Sequence, residues 1–125
     1  MKTDSLRSEL RLAIQAAQDK KAAGVTLLDL AGLGAFTDHF LLCTGFSARQ
    51  VEAISDSIAE TLTNHGLRLA HREGAIGAEW MLLDFGGLVV HVFTERARHF
   101  YDLERLWRAA RRTDFPDPAP GAASA

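Results

Sequence analysis

The chain carries histidines at positions 39, 65, 71, 91 and 99, acids at Glu79 and Asp84, Ser47 two residues after Gly45, and one cysteine, Cys43. These are the side chains that could do chemistry, and their spacing supports little of it. No two histidines stand in H-x-x-x-H or H-E-x-x-H order, so no zinc set is indicated. Gly45-Phe46-Ser47 lacks the second half of a G-x-S-x-G nucleophile elbow. Neither a phosphate-binding loop nor a G-x-G-x-x-G run occurs. Nucleotidyl transfer would need paired carboxylates on a strand to hold magnesium, and the segment ending Asp84-Phe85-Gly86 offers one acid. Glu79 could join Asp84 and His91 in acid–base work only on a shared face, and strand alternation puts it on the opposite one. We therefore assign no catalytic residue, no metal, no cofactor and no small-molecule substrate.

Asp84 and His91 are positioned by the stretch Ala78 to Thr94, AEWMLLDFGGLVVHVFT, which reads as two strands joined by Gly86-Gly87. Both glycines can take the positive φ that a two-residue primed turn uses. Such a turn pairs Asp84 with Val89, Leu83 with Val90, Leu82 with His91, Met81 with Val92 and Trp80 with Phe93. One face then carries Met81, Leu83, Phe85, Leu88, Val90 and Val92, all apolar, and must lie on the core. The other carries Trp80, Leu82, Asp84, Val89, His91 and Phe93. Aromatics mixed with a few polar groups are the composition of a protein-binding patch. The competing reading is that a helix covers this face and His91 is a core histidine.

The number of covering elements has to decide between these. Asp4 or Ser5 can cap a first helix whose stripe is Leu6, Leu10, Ala13, Ile14 and Ala17, with Lys20 and Lys21 in its last turns and Gly24 after its end. Val25 to Leu30 reads as a strand with Asp29 at its end, and Ala31 to Thr37 as a loop. Asp38 to Thr44 is apolar on both faces and so central in a sheet, with Cys43 a small buried hydrophobe. Ser47 and Gln50 have capping-box spacing ahead of a helix striped by Val51, Ile54, Ile58 and Leu62 and ended by Gly66. Leu67 to Ala70 reads as a strand completing a parallel β-α-β unit, and His71 to Gly77 as a connection. After the hairpin come a helical turn, Glu95 to His99, and a helix from about Tyr101 to Arg112 striped by Leu103, Leu106, Trp107 and Ala110. On that helix Arg105, Arg108, Arg111 and Arg112 form a basic strip, read as a solvated face with RNA phosphates as the alternative.

This order predicts an α/β two-layer domain over residues 1–112, with a mixed sheet of about five strands and three helices, and a disordered tail over residues 113–125 that holds all three prolines. Two helices cover one sheet face. The third is short and expected at an edge, which leaves part of the other face bare around Trp80, Leu82, Asp84, His91 and Phe93.

Composition sets outer bounds. The 125 residues are 47% hydrophobic and 24% charged with a net charge of −2, ordinary for one globular domain and no basis for non-specific nucleic-acid binding. A single cysteine excludes an internal disulfide. No apolar run approaches the ~20 residues of a membrane span, and MKTDSLRSEL has no apolar signal core. A cytoplasmic location without membrane contact is expected.

Several blocks of this chain resemble the ribosomal silencing factor family, RsfS or Iojap-like. They are Thr37-Asp38-His39-Phe40, the Gly45 to Ile54 segment GFSARQVEAI, Glu79 to Gly86, Val90-His91-Val92-Phe93, and Arg98 to Trp107. The likeness runs from about Leu6 to Ala110. His39 stands where the family usually has an aromatic, Phe46 where it has a small or polar residue, and Gly87 where an acid is common. Phe46 could alter a local contact at the helix start; the other two departures leave the fold untouched. The resemblance implies a fold similar to nucleotidyltransferases without their catalytic acids. It also implies binding to the large ribosomal subunit through large-subunit protein fourteen, on the surface that faces the small subunit. A protein there would block subunit joining by steric exclusion and lower translation when nutrients are scarce. On that implication Trp80, Leu82, His91 and Phe93 pack on the ribosomal protein, and Asp84 and Glu95 pair with its basic side chains. Tyr101 and Trp107 either extend the patch or belong to the core. Two rivals stand beside this: a divergent nucleotidyltransferase using Gly45 to Ser47 and Asp84, and a homodimer formed through the mixed face.

Overall fold

The computed structural model describes residues 2–117, with side chains from Ser8 onward. Its elements are α1 (Lys2–Asp19), β1 (Ala23–Asp29), β2 (His39–Gly45), α2 (Ala48–Asn64), β3 (His71–Glu73), β4 (Trp80–Asp84), β5 (Leu88–Thr94), α3 (Glu95–Tyr101), α4 (Leu103–Leu106) and β6 (Arg111–Phe115). The strands form one mixed α/β sheet in the order β3-β4-β5-β2-β1-β6. β2 and β5 are parallel, and every other neighbouring pair is antiparallel.

The hairpin has the register expected of a two-residue turn, with Trp80 opposite Phe93 and Asp84 opposite Val89. Gly86 takes φ +89° while Gly87 stays out of the positive region. One primed turn requires positive φ only at its first central residue. The Asp84 side chain braces the bend by accepting from Gly86 N at 2.8 Å.

Apolar alternation then builds the main core. Met81, Leu83, Leu88, Val90 and Val92 point to one face, with Leu41 and Cys43 of β2, and meet Leu10, Ala13, Ile14 and Ala17 of α1 and Val51, Ile54, Ile58 and Leu62 of α2. Ser47 caps α2 by accepting from Gln50 N. The Gln50 side chain accepts from Phe46 N and donates to the carbonyls of Lys20 and Lys21, so it joins the start of α2 to the end of α1. Helix α1 already runs at Lys2, ahead of the start expected at Asp4 or Ser5. It ends at Asp19, and the left-handed residue just past its end is Lys21, at φ +61°; Gly24, also left-handed at φ +56°, lies farther on, within β1.

Three segments differ from the sequence reading. Leu67 to Ala70 makes no strand: Leu67 and Leu69 lean on the main core, and β3 forms later, antiparallel at the sheet edge. Its residues His71, Arg72 and Glu73 are all exposed, charge where an edge needs protection. The third helix breaks at Asp102, which sits at φ +49° and separates α3 from α4. Beyond it, Thr113 to Phe115 are not tail but the end of β6, a sixth strand antiparallel to β1. Arg111 and Arg112 thus leave the helical strip for this strand. The remainder of the expected tail, from residue 118, lies outside the described residues.

What brings α3, α4 and β6 together is Arg98. Its Nε and Nη2 donate to the two carboxylate oxygens of Glu104 at 3.1 Å each. Nη1 donates to the Gly24 carbonyl and to Thr44 Oγ1, and Nη2 donates to Thr26 Oγ1. All five donors of the guanidinium are used. Glu104 also pairs with Arg112 of β6 at 3.1 Å. Burial alone would raise the Glu104 pKa, but its hydrogen bonds and charge contacts with Arg98 and Arg112 prevail and hold it below the ordinary value. Gly24 leaves room for the guanidinium, because a Cβ there would lie 2.9 Å from Nη1.

Arg98→Lys keeps the charge but loses the fork, and should cost about 3 kcal/mol of unfolding free energy. Urea denaturation measures this, and a loss within error of zero would show the cluster to be incidental.

Candidate functional site

The second face of the sheet is a small core with one open end. Leu28, Leu30, Phe40, Leu42, Val89, Phe93 and Ala97 are buried there, with Trp80, Leu82, Leu103 and Trp107 partly buried around them. α3 and α4 cross this face instead of packing at an edge. Most of the face expected to be bare is therefore covered. His91 is 3% exposed and Phe93 is fully buried, so neither can touch a partner directly. This corrects the expectation for those two, and the core-histidine reading holds for His91.

The open end is aromatic. The Trp80 ring stacks on Phe93 at 5.1 Å and meets Tyr101 at 4.6 Å, and Phe100 stands edge-on to Tyr101 at 5.1 Å. Beneath Trp80, His91 stacks on Phe93 and meets the edge of Phe40 at 4.5 Å. Trp80 Nε1 donates to His91 Nδ1 at 3.1 Å. Burial pushes the His91 pKa down from 6.5 to about 4, so the ring is neutral at pH 7.

Outward from this stack the surface stays apolar. Phe100 is 77% exposed, Tyr101 50% and Leu106 71%. They line two adjoining grooves. One, about 580 Å3, runs between Ala78, Glu79, Trp80 and the α3 residues Arg96, Ala97, Phe100 and Tyr101. The other, about 710 Å3, follows the outside of α3 and α4 past Arg105, Leu106 and Arg108. At the rim Glu79 pairs with Arg96 and accepts from Thr94 Oγ1. The hydrogen bonds from Arg96 and Thr94 hold its carboxyl below the ordinary pKa.

Of the residues singled out from sequence, Trp80 and Tyr101 meet at this surface, and Glu95 is exposed in the first turn of α3. Leu82 is half-buried one step along β4, and Asp84 lies at the far end of that strand, its carboxylate engaged by the turn. Trp107 packs edge-on against Phe40 at 6.0 Å and belongs mainly to the second core. Arg105 and Arg108 remain exposed on the groove, whereas Arg112 is occupied by Glu104 and Asp114. Phe100 and Leu106 were missed. Phe100 falls between the two helical segments that the sequence predicts, so no apolar stripe points to it. The sequence periodicity puts Leu106 on a buried stripe, and the break at Asp102 turns it outward.

Little of the remaining chemistry is available for catalysis. Burial pushes the Cys43 thiol up to about 12, against a smaller opposing influence of Arg98, so it is no nucleophile. Ser47 Oγ is committed to capping α2. Among the described residues no cluster of three or more His, Cys, Asp or Glu could hold a metal ion, and no helix is long and apolar enough to cross a membrane.

Residues 3–125 match the family model described as ribosomal silencing factor during starvation. The chain is 39% identical to the ribosomal silencing factor RsfS of Bacillus subtilis over 109 residues, which cover 87% of this chain and 92% of that one. It is 41% identical to the factor of the same name from Halalkalibacterium halodurans, over 78% of this chain and 84% of that one. A crystal structure of a Chromobacterium violaceum protein superposes with a TM-score of 0.79 at 32% identity, over 91% of this chain and 96% of that one.

The buried His91 makes stability depend on pH with a defined sign. Its pKa is about 4 folded and near 6.5 unfolded, so the unfolded chain binds the extra proton between those values. Stability is full above pH 6.5 and falls on acidification towards pH 4, by roughly 1.4 kcal/mol per unit in that window. Unfolding free energies from urea denaturation at pH 7 and pH 4.5 should therefore differ by about 2 kcal/mol more in the wild type than in His91→Asn. Equal differences would refute the assignment.

Proposed function

Because this chain belongs to the ribosomal silencing factor family, we propose that it binds the large ribosomal subunit through large-subunit protein fourteen and keeps the small subunit from joining by occupying the space between them. It acts in the cytoplasm as a regulator and not as an enzyme, and it lowers translation when nutrients are limiting or growth has stopped. Steric exclusion requires a surface that holds tightly and needs no reacting group.

The observation that carries this reading is the continuous aromatic end of the second face, where Trp80, Phe100, Tyr101 and Leu106 share two adjoining grooves. Large, partly rigid aromatics next to arginines are what interface centres contain. Glu79, Glu95 and Arg96 lie where a polar rim would, and Arg105 and Arg108 extend the rim towards ribosomal RNA. Leu82 and Asp84 continue the contact along β4, while His91, Phe93 and Trp107 support it from beneath. Tyr101 is a better anchor to test than Trp80. It is half exposed, whereas removing Trp80 would also uncover Phe93.

Purified protein should pellet with isolated large subunits and not with small ones. Tyr101→Ala should weaken that association about 30-fold with an unchanged melting temperature, and Glu95→Lys should act mainly on the association rate and its salt dependence. Pelleting with neither subunit would remove the ribosomal reading and bring self-association forward. Full retention by Tyr101→Ala would move the contact away from this end of the molecule.

A further inference from the structure

His91 is a polar group that the second core does not need. Its ring is buried between Phe40 and Phe93, its Nδ1 accepts from Trp80 Nε1, and its Nε2 has no partner among the described residues. With Nδ1 as acceptor the proton sits on Nε2, a tautomer fixed by the hydrogen-bond geometry. A phenylalanine would fill the same space and leave no buried donor unpaired. Among the described residues, the only polar contact that sets histidine apart at this position is the one it makes to Trp80.

Trp80 needs such a contact. Stacking on Phe93 fixes the plane of the indole but not which edge faces inward, because the terminal torsion of an aromatic side chain has two broad wells. The edge that faces inward decides how the ring meets Tyr101. We propose that His91 is a positioning residue: it selects one orientation of the Trp80 indole and, through the Trp80–Tyr101 contact, presets the binding face. The binding half of this inference rests on the proposed function; the indole lock does not.

The surroundings make the lock a fixed one. On β4 the nearby acid is Asp84, taken by the hairpin turn. On β2, His39 and Cys43 alternate onto the opposite face from Phe40 and Leu42. Asp29 of β1 alternates away from Leu28 in the same manner. From α3 and α4, Arg98 and Glu104 neutralise one another, and Tyr101 lies on the outer side of Trp80. Burial alone lowers the His91 pKa to about 4. The acceptor is therefore present throughout the neutral range.

Two substitutions separate the lock from packing. His91→Phe keeps the shape and removes the acceptor, whereas His91→Asn places an oxygen near the Nδ1 position. The Trp80 indole N–H resonance, assigned by its loss in Trp80→Phe, reports the lock by hydrogen exchange without any partner. Exchange should accelerate at least about tenfold in His91→Phe and return close to wild type in His91→Asn. Association with isolated large subunits should weaken about tenfold in His91→Phe, with folding intact by circular dichroism, and recover in His91→Asn. Unchanged exchange in His91→Phe would overturn the lock. Faster exchange with wild-type association would overturn its role in binding. If the wild type pellets with neither subunit, the proposed function fails and the exchange data still decide whether His91 orients Trp80.

Discussion

A largely buried guanidinium demands partners on every side, and Arg98 finds them in three separate parts of the chain. Glu104 supplies both oxygens, Gly24 and Thr26 of β1 supply two acceptors, and Thr44 of β2 the last. Satisfying all five donors fixes where the chain goes after α3. It must turn at Asp102 and bring Glu104 back over the sheet, and from there Arg112 and Asp114 of β6 fall against β1, with Thr26 Oγ1 donating to Asp114 Oδ1 at 2.8 Å. The aromatic face depends on that turn, because Phe100 and Tyr101 sit just before it and Leu106 just after.

The same turn explains why the second face is neither a dry core nor a bare sheet. α3 and α4 together are short, and the break between them prevents one straight helix from covering all of β4 and β5. They close over Val89, His91 and Phe93 and leave Trp80 only partly covered, by Tyr101. Apolar area remains exposed there because the covering element runs out, while its own residues Phe100 and Leu106 extend that area outward. Contiguous exposure of this kind marks an interaction surface on a folded protein.

How much of this was legible in the sequence depends on whether the signal was local. The hairpin register followed from Gly86-Gly87 and strict alternation on either side. The central place of β2 followed from its being apolar on both faces, and the start of α2 from Ser47 and Gln50. Each of those rests on neighbours a few residues apart. β6 was not legible, because Arg111-Arg112-Thr113-Asp114 has no apolar period and becomes a strand only through contacts with Thr26 and Glu104. Nor was the helix break, since Asp102 takes a left-handed conformation that nothing in its neighbours requires. From these two misses followed the wrong cover for His91 and Phe93, the inward placing of Leu106 and the omission of Phe100. Trp80 is legible as a surface residue because the strand end that holds it follows from the hairpin register, whereas Tyr101, expected at the start of the last helix and open between patch and core, stands at the end of α3.

The pairing of β6 with β1 also orders events in time. Thr26 and Asp114 are 88 residues apart, and the contact between them closes nearly the whole domain into one loop. Closing so long a loop is entropically late, after the hairpin and the helices whose contacts are local. Until β6 docks, Glu104 lacks Arg112 and the α3–α4 turn is held only in part. A chain still being synthesised therefore carries its hairpin and helices well before it carries a finished aromatic face.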